Sequence, residues 1–173
     1  MLEPREFVFI MLKPAALSNI KSTDFIKQEL LKYGDIKYIK ESVIVDKLRI
    51  LEHYKSSKSS LWYPLVVNYF SGRVVQHFIL EFNPKKHNLL VNNLKYPFAD
   101  FLRKQVIGPA NLFKTKKYHI RRLALSRFSS FLLDNLIHCS ANTKEALNEI
   151  HIWYEDCPIV VEEFDTKTSA LLR

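Results

Sequence analysis

The sequence predicts an α+β fold in which helices cover one face of a four-stranded sheet. The predicted elements follow the order β-α-β-α-α-β, then a basic loop region, then β-α. No linker or internal repeat divides the 173 residues, so they fit one domain of ordinary size. Packing the helices against a single sheet buries the apolar side of every element, which makes this arrangement the simplest solution.

The first predicted strand covers residues 7–12, which read F-V-F-I-M-L. This apolar run lies between charged residues and a proline, as is typical of a buried strand. Pro14 biases Lys13 toward an extended conformation. The ammonium of Lys13 is therefore expected at the carboxyl end of the strand.

Helices and strands alternate through the next part of the chain. A first helix is predicted over residues 23–33, with Gly34 as its C-cap. A second strand follows over residues 36–46, and a short helix over residues 47–54. The later predictions are a polar turn at 55–60, a helix at 61–70, a strand at 74–81, an irregular polar segment at 83–98, one or two helical turns at 100–107, and a loop at 111–119.

A histidine lies between the last predicted strand and the last helix. Residues 135–154 read N-L-I-H-C-S-A-N-T-K-E-A-L-N-E-I-H-I-W-Y, and the short apolar run ends at His138. Asn142 can cap a helix with Glu145 three residues on, as in a capping box. Apolar residues then recur at helical spacing, so Glu149 lies two turns into an amphipathic helix and can fold back toward His138.

The composition excludes several classes of site. Only three glycines occur (Gly34, Gly72 and Gly108), and their contexts exclude a P-loop and a G-x-G-x-x-G turn. Any phosphate must then be held by side chains. The two cysteines, Cys139 and Cys157, lack C-x-x-C spacing and predict neither a disulfide framework nor a zinc site.

We expect a cytosolic protein that binds no membrane. No apolar run reaches the roughly 20 residues needed to cross one, and the opening M-L-E-P-R-E has no signal-peptide pattern. We also expect no metal site built by protein ligands, because the histidines other than His138 show no ligand spacing such as H-x-x-x-H. These are His53, His77, His87, His119 and His151.

Residues 84–127 form a basic segment. They contain eleven Lys/Arg and one acid, Asp100, for a net charge of +10, whereas the rest of the chain sums to −2. A cationic block attracts phosphorylated partners such as nucleotides, RNA or DNA. A solvated lysine-rich surface loop has the same composition, so the segment alone leaves both interpretations open.

A series of motifs in fixed order resembles the nucleoside diphosphate kinase family over residues 6–154. The motifs are F-I-M-L-K-P, E-H-Y, F-S-G-R-V-V, R-K-Q-V-I-G-P-A-N, I-R-R-L-A-L, N-L-I-H-C-S and E-A-L-N-E-I-H-I-W-Y. The last two are similar to the family pattern N-x-x-H-G-S-D-S followed by A-x-x-E-I-x-x-W-F. The resemblance implies a ferredoxin-like βαββαβ sandwich with an antiparallel sheet. We expect one domain over residues 1–173, in which residues 155–173 are a C-terminal tail that the resemblance does not cover.

The resemblance also implies a catalytic role for each matching residue. His138 is the phosphate acceptor, and Ser140 and Glu149 hold its ring. Lys13 binds phosphate, and Tyr54 closes on the histidine and phosphate region.

Further positions match the nucleotide-binding residues of the family. Trp62 stacks on the base, Asn135 contacts the ribose hydroxyls, and Arg121 is the second phosphate clamp. The first clamp is Arg103 or Lys104, because the spacing from arginine to glycine is one residue longer here than in the family.

The implied activity is transfer of the γ-phosphate of ATP to nucleoside diphosphates. It proceeds by a ping-pong mechanism through a phosphohistidine at His138, with Mg²⁺ bound through the nucleotide phosphates. The implied partners are nucleoside di- and triphosphates and further copies of the chain in a homo-oligomer. Nucleic acid is a possible additional partner through the basic segment.

Ala110, Cys139 and a connection at residues 83–102 that is longer than the family's motivate an alternative, a catalytically inactive regulatory relative that binds nucleotide or nucleic acid. K-P-D-G has become K-P-A-A at residues 13–16, and Ala110, Cys139 and Ala141 replace a threonine, a glycine and an acid. A cysteine with positive φ is unfavourable. We therefore expect an ordinary backbone at Cys139, with the thiol packed inward.

Overall fold

The computed structural model describes residues 6–83, 85, 97–126 and 134–154. Four strands are present in this part of the chain: β1 (Phe7–Leu12), β2 (Gly34–Ile44), β3 (Val74–Phe82) and β4 (Ile137–Cys139). The α-helices are α1 (Pro14–Leu17), α2 (Ile20–Leu31), α3 (Lys47–His53), α4 (Tyr63–Phe70), α5 (Phe98–Phe101) and α6 (Thr143–Trp153). A π-helical turn, Leu102–Ile107, continues α5. Short 3₁₀ segments occupy Lys55–Ser57, Leu112–Lys114 and Ile120–Ser126.

The strands form one sheet in the order β2-β3-β1-β4, and every neighbouring pair is antiparallel. This confirms the predicted α+β class and the four-stranded sheet. β1 lies between β3 and β4, so Met11 has a cross-strand neighbour on each side. These neighbours are His77 on β3 and His138 on β4.

Helices cover both faces of the sheet, so the prediction of one covered face is wrong. On one side, Val8, Ile10 and Leu12 pack with residues of α1, α2, α5 and the π-helical turn; we call this the apolar face. Phe7, Phe9 and Met11 pack on the other side with residues of α3, α4 and α6. Side chains alternate along a strand. A strand buried on both faces therefore needs an unbroken apolar run, and all of β1 is buried.

We call the second side the histidine face, because three imidazole rings lie against Phe9. The ring centroids of His53, His77 and His138 lie 6.0, 5.4 and 6.3 Å from that of Phe9. Histidines at buried positions need polar partners or must stay neutral. The chemistry of the molecule is therefore concentrated on this face.

The predicted role of Gly34 as a helix C-cap is wrong. α2 ends at Leu31 with Lys32 as its C-cap, and Gly34 is the first residue of β2. A Cβ at this position would lie 2.4 Å from the carbonyl oxygen of Glu81 on β3. Glycine is therefore required by the close approach of two strands, a contact that local sequence does not reveal.

The remaining predicted elements agree with the structure to within a few residues. α3, α4 and β3 confirm the predictions at 47–54, 61–70 and 74–81. The helical turns predicted at 100–107 are present as part of α5 and the π-helical turn, and the loop at 111–119 includes a short 3₁₀ segment. Most of the predicted irregular segment at 83–98 and the tail at 155–173 lie outside the described residues. A helix of membrane-spanning length and apolarity is absent from the described ranges.

Candidate active site

His138 is held by a carboxylate from the helix that follows it. Its Nε2 lies 2.6 Å from Oε1 of Glu149, and the two side chains are 17% and 5% exposed. Nδ1 of His138 has no hydrogen-bond partner within the described ranges and is not among the buried unpaired atoms. Because His138 lines an open cleft, Nδ1 is the ring nitrogen available to a ligand.

The start of α6 fixes where Glu149 lies. The Asn142 side chain accepts a hydrogen bond of 2.9 Å from the backbone N–H of Glu145, which confirms the predicted N-cap. The Glu145 carboxylate accepts a bond of 2.5 Å from the N–H of Ala141 rather than from that of the cap residue. Trp153 and other apolar residues of α6 are buried on the histidine face, and this packing turns Glu149 toward His138.

Burial shifts the pKa of both members of this pair. Burial, with Lys13 nearby, lowers the pKa of His138 to about 3, so the imidazole is neutral at pH 7. Burial raises the pKa of Glu149 to about 8, and His53 acts in the opposite direction. When Glu149 is ionised it accepts the Nε2 proton of His138, which leaves the lone pair of Nδ1 free for attack.

His53 is a third member of this cluster. Its Nδ1 lies 3.8 Å from Oε1 of Glu149 and accepts a hydrogen bond of 3.2 Å from Nε1–H of Trp153. Ligand atoms of His53, His138 and Glu149 lie within 4.8 Å of one another, which is close enough to invite a metal ion. Trp153, however, already occupies the Nδ1 lone pair of His53, so that nitrogen cannot coordinate a metal without losing the bond.

Lys13 and Asn135 meet at the carboxyl end of β1. Nζ of Lys13 donates to Oδ1 of Asn135 at 2.9 Å, and both side chains are buried. Burial and the nearby Arg121 lower the pKa of Lys13 to about 7, whereas Asp134 acts in the opposite direction. The family resemblance implies that Lys13 binds phosphate and that Asn135 contacts ribose, and both residues line the cleft.

The turn before β4 has a strained conformation. Leu136 has φ of 72°, and the N–H of Ile137 bonds to the carbonyl of Asn135 at 3.0 Å, as in a γ-turn. Such backbone strain persists only where neighbouring contacts hold it. Here Asp134 is one such contact, because its carboxylate accepts from the N–H of Leu136 at 3.2 Å. Sequence analysis missed Asp134, because two of its partners, Ala15 and Tyr69, are distant in the chain.

The structure separates the two candidates for the first clamp. Nζ of Lys104 is bound to Asp100 at 2.8 Å, whereas Arg103 makes no salt bridge with a described carboxylate. Arg103 also acts electrostatically on His138 and Glu149. Both residues line the cleft, but Arg103 is the one whose charge is available to a ligand.

Two hydrogen bonds anchor the Arg121 guanidinium to the backbone. Its Nη1 donates to the carbonyl of Gly108 at 2.7 Å and its Nη2 to that of Ile137 at 2.9 Å. Nε of Arg121 is buried without a partner in the described part of the chain. Burial lowers the pKa of this guanidinium to about 10, so it stays charged at pH 7.

Two aromatic residues complete the wall beside the histidine. The ring of Tyr54 lies 6.2 Å from that of His138 and 6.1 Å from that of Trp62. Burial raises the pKa of Tyr54, so its hydroxyl remains a donor at pH 7. Trp62 is 42% exposed, which leaves its indole accessible for stacking.

These groups surround a single cleft of about 1200 Å³. Cationic side chains and the histidine line it together with aromatic and aliphatic side chains. Such a combination suits a ligand with a charged end and an apolar end. The lining residues are Lys13, Tyr54, Trp62, Leu65, Val66, Asp100, Arg103, Lys104, Gly108, Pro109, Ala110, Arg121, Asn135, His138, Cys139 and Glu145.

Comparison with known proteins assigns the family. The family model described as nucleoside diphosphate kinase matches residues 6–159, which is most of the chain. The chain belongs to the nucleoside diphosphate kinase family. None of the curated protein sequences compared with the chain matches it.

Solved nucleoside diphosphate kinases share the fold. The Aquifex aeolicus enzyme superposes with a TM-score of 0.67 at 19% identity, covering 87% of this chain and 96% of that one. The Encephalitozoon cuniculi enzyme gives 0.67 at 22% identity, covering 87% and 90%. A family protein from Babesia bovis gives 0.64 at 17% identity, covering 86% and 88%. The superpositions establish the shared ferredoxin-like fold. Because the identities are low, the chemistry must be argued from the residues of this chain.

The role of Ser140 suggested by the family pattern differs from its observed position. We predicted that Ser140 helps to hold the His138 ring. Instead, its hydroxyl accepts from the N–H of Phe9 at 2.9 Å and lies 3.4 Å from the carbonyl of the same residue. Ser140 therefore links β4 to β1, and Oε2 of Glu149 has no partner in the described structure.

The replacement of the family glycine by Cys139 is accommodated as predicted. Cys139 lies in β4 and is not among the residues with positive φ. Its thiol is buried in the apolar face and lies 3.4 Å from the carbonyl of Ser140. Burial raises the pKa of the thiol to about 12, so it is neutral at pH 7.

Proposed function

We propose that this chain is a nucleoside diphosphate kinase that transfers the γ-phosphate of ATP to nucleoside diphosphates. The observation that carries the proposal is the state of His138. Its ring is neutral, Glu149 holds Nε2 at 2.6 Å, and Nδ1 is unpaired at the wall of a cationic cleft. That arrangement is the one a nucleophilic imidazole needs.

The reaction is a ping-pong exchange in two halves. The lone pair of Nδ1 on His138 attacks the γ-phosphorus of ATP, a P–N bond forms, and the bond to the β–γ bridging oxygen breaks as ADP leaves. A β-phosphate oxygen of a nucleoside diphosphate then attacks the phosphohistidine, and the P–N bond breaks. Glu149 keeps the proton on Nε2 only in its ionised form, which is the minor form at pH 7 because its pKa is about 8, so transfer should become faster as the pH rises toward 8.

Positive charge around the phosphate is the main requirement of phosphoryl transfer. Lys13, Arg103 and Arg121 supply it from three separate elements of the fold. Mg²⁺ bound through the nucleotide phosphates adds charge neutralisation when it is present. The cleft suits such an ion, because the carboxylate of Glu145 lies in its wall and Mg²⁺ prefers oxygen ligands and retained water.

The nucleoside end of the ligand fits the rim of the cleft. The half-exposed indole of Trp62 can stack on a base of any identity, which suits an enzyme of broad nucleotide specificity. Asn135 can donate its second Nδ2–H to a ribose hydroxyl, because Oδ1 accepts from Lys13 and the first Nδ2–H donates to the carbonyl of Ala110 at 3.5 Å. The Tyr54 hydroxyl is a donor for the phosphate region.

The test is phosphorylation of the protein itself. Incubation with γ-labelled ATP and Mg²⁺ should give an acid-labile, base-stable phosphoprotein, which then transfers its label to GDP or CDP. His138→Ala should abolish both steps. His151→Ala is the matched control, because His151 is an exposed histidine on α6, the helix that carries Glu149. Folded wild-type protein that takes up no label and transfers none would refute the proposal.

A regulatory role without catalysis is the second candidate. Ala110 lacks the hydroxyl of the family threonine, and the basic segment presents exposed positive charge at Lys114, Lys116, Lys117 and Arg122. Salt-sensitive RNA binding that survives His138→Ala, together with the absence of phosphohistidine, would favour it.

Assembly and location remain proposals as well. We propose one domain and a homo-oligomer, to which the edge strand β2 offers exposed apolar side chains at Tyr38, Ile39 and Ile44. A concentration-dependent mass by light scattering tests the oligomer. A cytosolic location stays a prediction from the sequence.

A further inference from the structure

Asp134 joins three separate parts of the chain. Its Oδ2 accepts hydrogen bonds from the hydroxyl of Tyr69 on α4 at 2.6 Å and from the N–H of Ala15 on α1 at 2.7 Å. Its Oδ1 accepts from the N–H of Leu136 at 3.2 Å. The side chain is buried, with 1% of the residue exposed.

The two backbone N–H groups bound to Asp134 lie just after Lys13 and just after Asn135 in the chain. Ala15 follows Lys13 by two residues, and Leu136 follows Asn135 directly. The N–H of Lys13 also donates to the carbonyl of Leu136 at 2.9 Å, within the strained turn. Any movement of the Asp134 carboxylate would therefore displace both the loop that carries Lys13 and the turn that carries Asn135.

We propose that Asp134 is a positioning residue, which holds Lys13 and Asn135 in place at the cleft and supports the positive charge of Lys13. The inference rests on the proposed function, because it assumes that Lys13 meets nucleotide phosphate. Asp134 itself does not line the cleft and acts through its neighbours.

The charge of Asp134 matters because Lys13 is buried among cations and neutral rings. Burial lowers the pKa of Lys13 to about 7, Arg121 lowers it further, and Asp134 raises it. His53 and His138 also face Lys13, but both are neutral at pH 7. Without Asp134, Lys13 would lose its proton at a lower pH and would then offer a phosphate no charge.

The sequence supplies an independent reason to look at this position. The family pattern K-P-D-G carries an acid two residues after the lysine, where this chain has Ala15. In this structure a carboxylate binds the N–H of Ala15 all the same, but it comes from Asp134, on the other side of the site. The double variant Ala15→Asp/Asp134→Asn would return the charge to its family position.

The experiment measures Mg-ADP affinity by calorimetry between pH 6 and 9, with folding checked by circular dichroism. For wild type we expect affinity to fall as Lys13 loses its proton. For Asp134→Asn the midpoint should move down by about one pH unit, so affinity at pH 8 should fall about tenfold. The double variant should recover most of that loss.

Two further variants separate charge from position. Tyr69→Phe removes one bond but keeps the carboxylate, so it should lower the melting temperature and leave the pH midpoint unchanged. Asp134→Glu keeps the charge but displaces it by one methylene. It should lower kcat/KM for transfer about tenfold at an unchanged midpoint, and it serves as the test if Asp134→Asn does not fold.

Two results would overturn the inference: a wild-type midpoint in folded Asp134→Asn, or wild-type kcat/KM in Asp134→Glu. Failure of the proposed function gives a different result. A wild-type chain that binds Mg-ADP but forms no phosphohistidine would refute the kinase, while the pH dependence of binding would still decide the part played by Asp134.

Discussion

The two faces of the sheet differ in what they bury. In the apolar face the core cluster consists of hydrophobic side chains from β1, β3, β4 and the helices packed on them. In the histidine face, three imidazoles and the carboxylate of Glu149 lie among aromatic rings. The first arrangement favours stability, whereas the second includes buried polar groups that cost stability and provide chemistry.

The cleft lies where elements from both faces meet, beside β4. The histidine face supplies His138 and Glu149. Elements packed on the apolar face supply the cations, because Arg103 lies in the π-helical turn and Arg121 follows the buried Ile120. Apolar packing therefore positions the charges, and polar burial prepares the nucleophile. This division can be tested with substitutions that change residues of only one face at a time.

After loss of the nucleophile itself, the largest effect is expected at the clamp supplied from the apolar face. Arg103→Ala should lower kcat/KM for phosphate transfer by about 10²- to 10³-fold, because it removes a charge aimed at the transferring phosphoryl group. Lys104→Ala is the matched control and should cost less than about tenfold, because Asp100 already binds that ammonium. Equal losses in a steady-state transfer assay would show that the charge of Lys104 also reaches the phosphate.

The histidine face should make the fold sensitive to acid. The pKa values of His53, His77 and His138 are lowered to about 3, so between pH 6.5 and 3 the unfolded chain binds protons that the folded chain does not. The stability that these neutral rings provide is lost as the pH falls through this window. Glu149 acts in the opposite direction. Because its pKa is raised from 4.5 to about 8, the folded chain binds about one proton more than the unfolded chain between these pH values. The free energy of unfolding should fall by about 3 kcal/mol from pH 7 to pH 5.

Urea unfolding at pH 7, 6 and 5 measures this loss. Because His77 is one of the contributors, His77→Leu should show a shallower pH dependence than wild type. A free energy of unfolding that stays constant from pH 7 to pH 5 would contradict the assignment of three neutral buried histidines.

A structural feature could be predicted from the sequence when the interactions that form it lie within a few residues of one another. β1 and α6 could be predicted because an apolar run and an Asn142 cap act within a few residues. The helix-covered second face, the close approach at Gly34 and the bond from Phe9 to Ser140 depend on contacts between distant segments. Asp134 was missed for the same reason. The only hint in the sequence was Ala15, which stands where the family pattern has an acid. That departure shows that a carboxylate is lost at position 15, but it does not show that Asp134 supplies one from elsewhere in the chain.

A smaller effect is expected from removing the histidine that has no evident role at the cleft. His77 is fully buried on β3, and both of its ring nitrogens lack partners in the described part of the chain. His77→Leu should raise the free energy of unfolding at pH 7 by about 1–3 kcal/mol, since it removes an unsatisfied polar group. Chemical denaturation measures the gain. A loss of stability would mean that His77 has a partner that stabilises the fold.

The smallest effect on transfer is expected at Cys139, the residue after the nucleophile. Its backbone is that of an ordinary strand and its thiol packs into the apolar face, away from the histidine face. Cys139→Gly should therefore leave the transfer rate within about tenfold of wild type, a barrier change under roughly 1.4 kcal/mol. It should lower stability by about 1 kcal/mol, because glycine weakens a strand interior. If instead the variant gained activity sharply from a wild type near zero, Cys139 would be blocking the in-line approach to His138, and the natural chain would be the inactive relative.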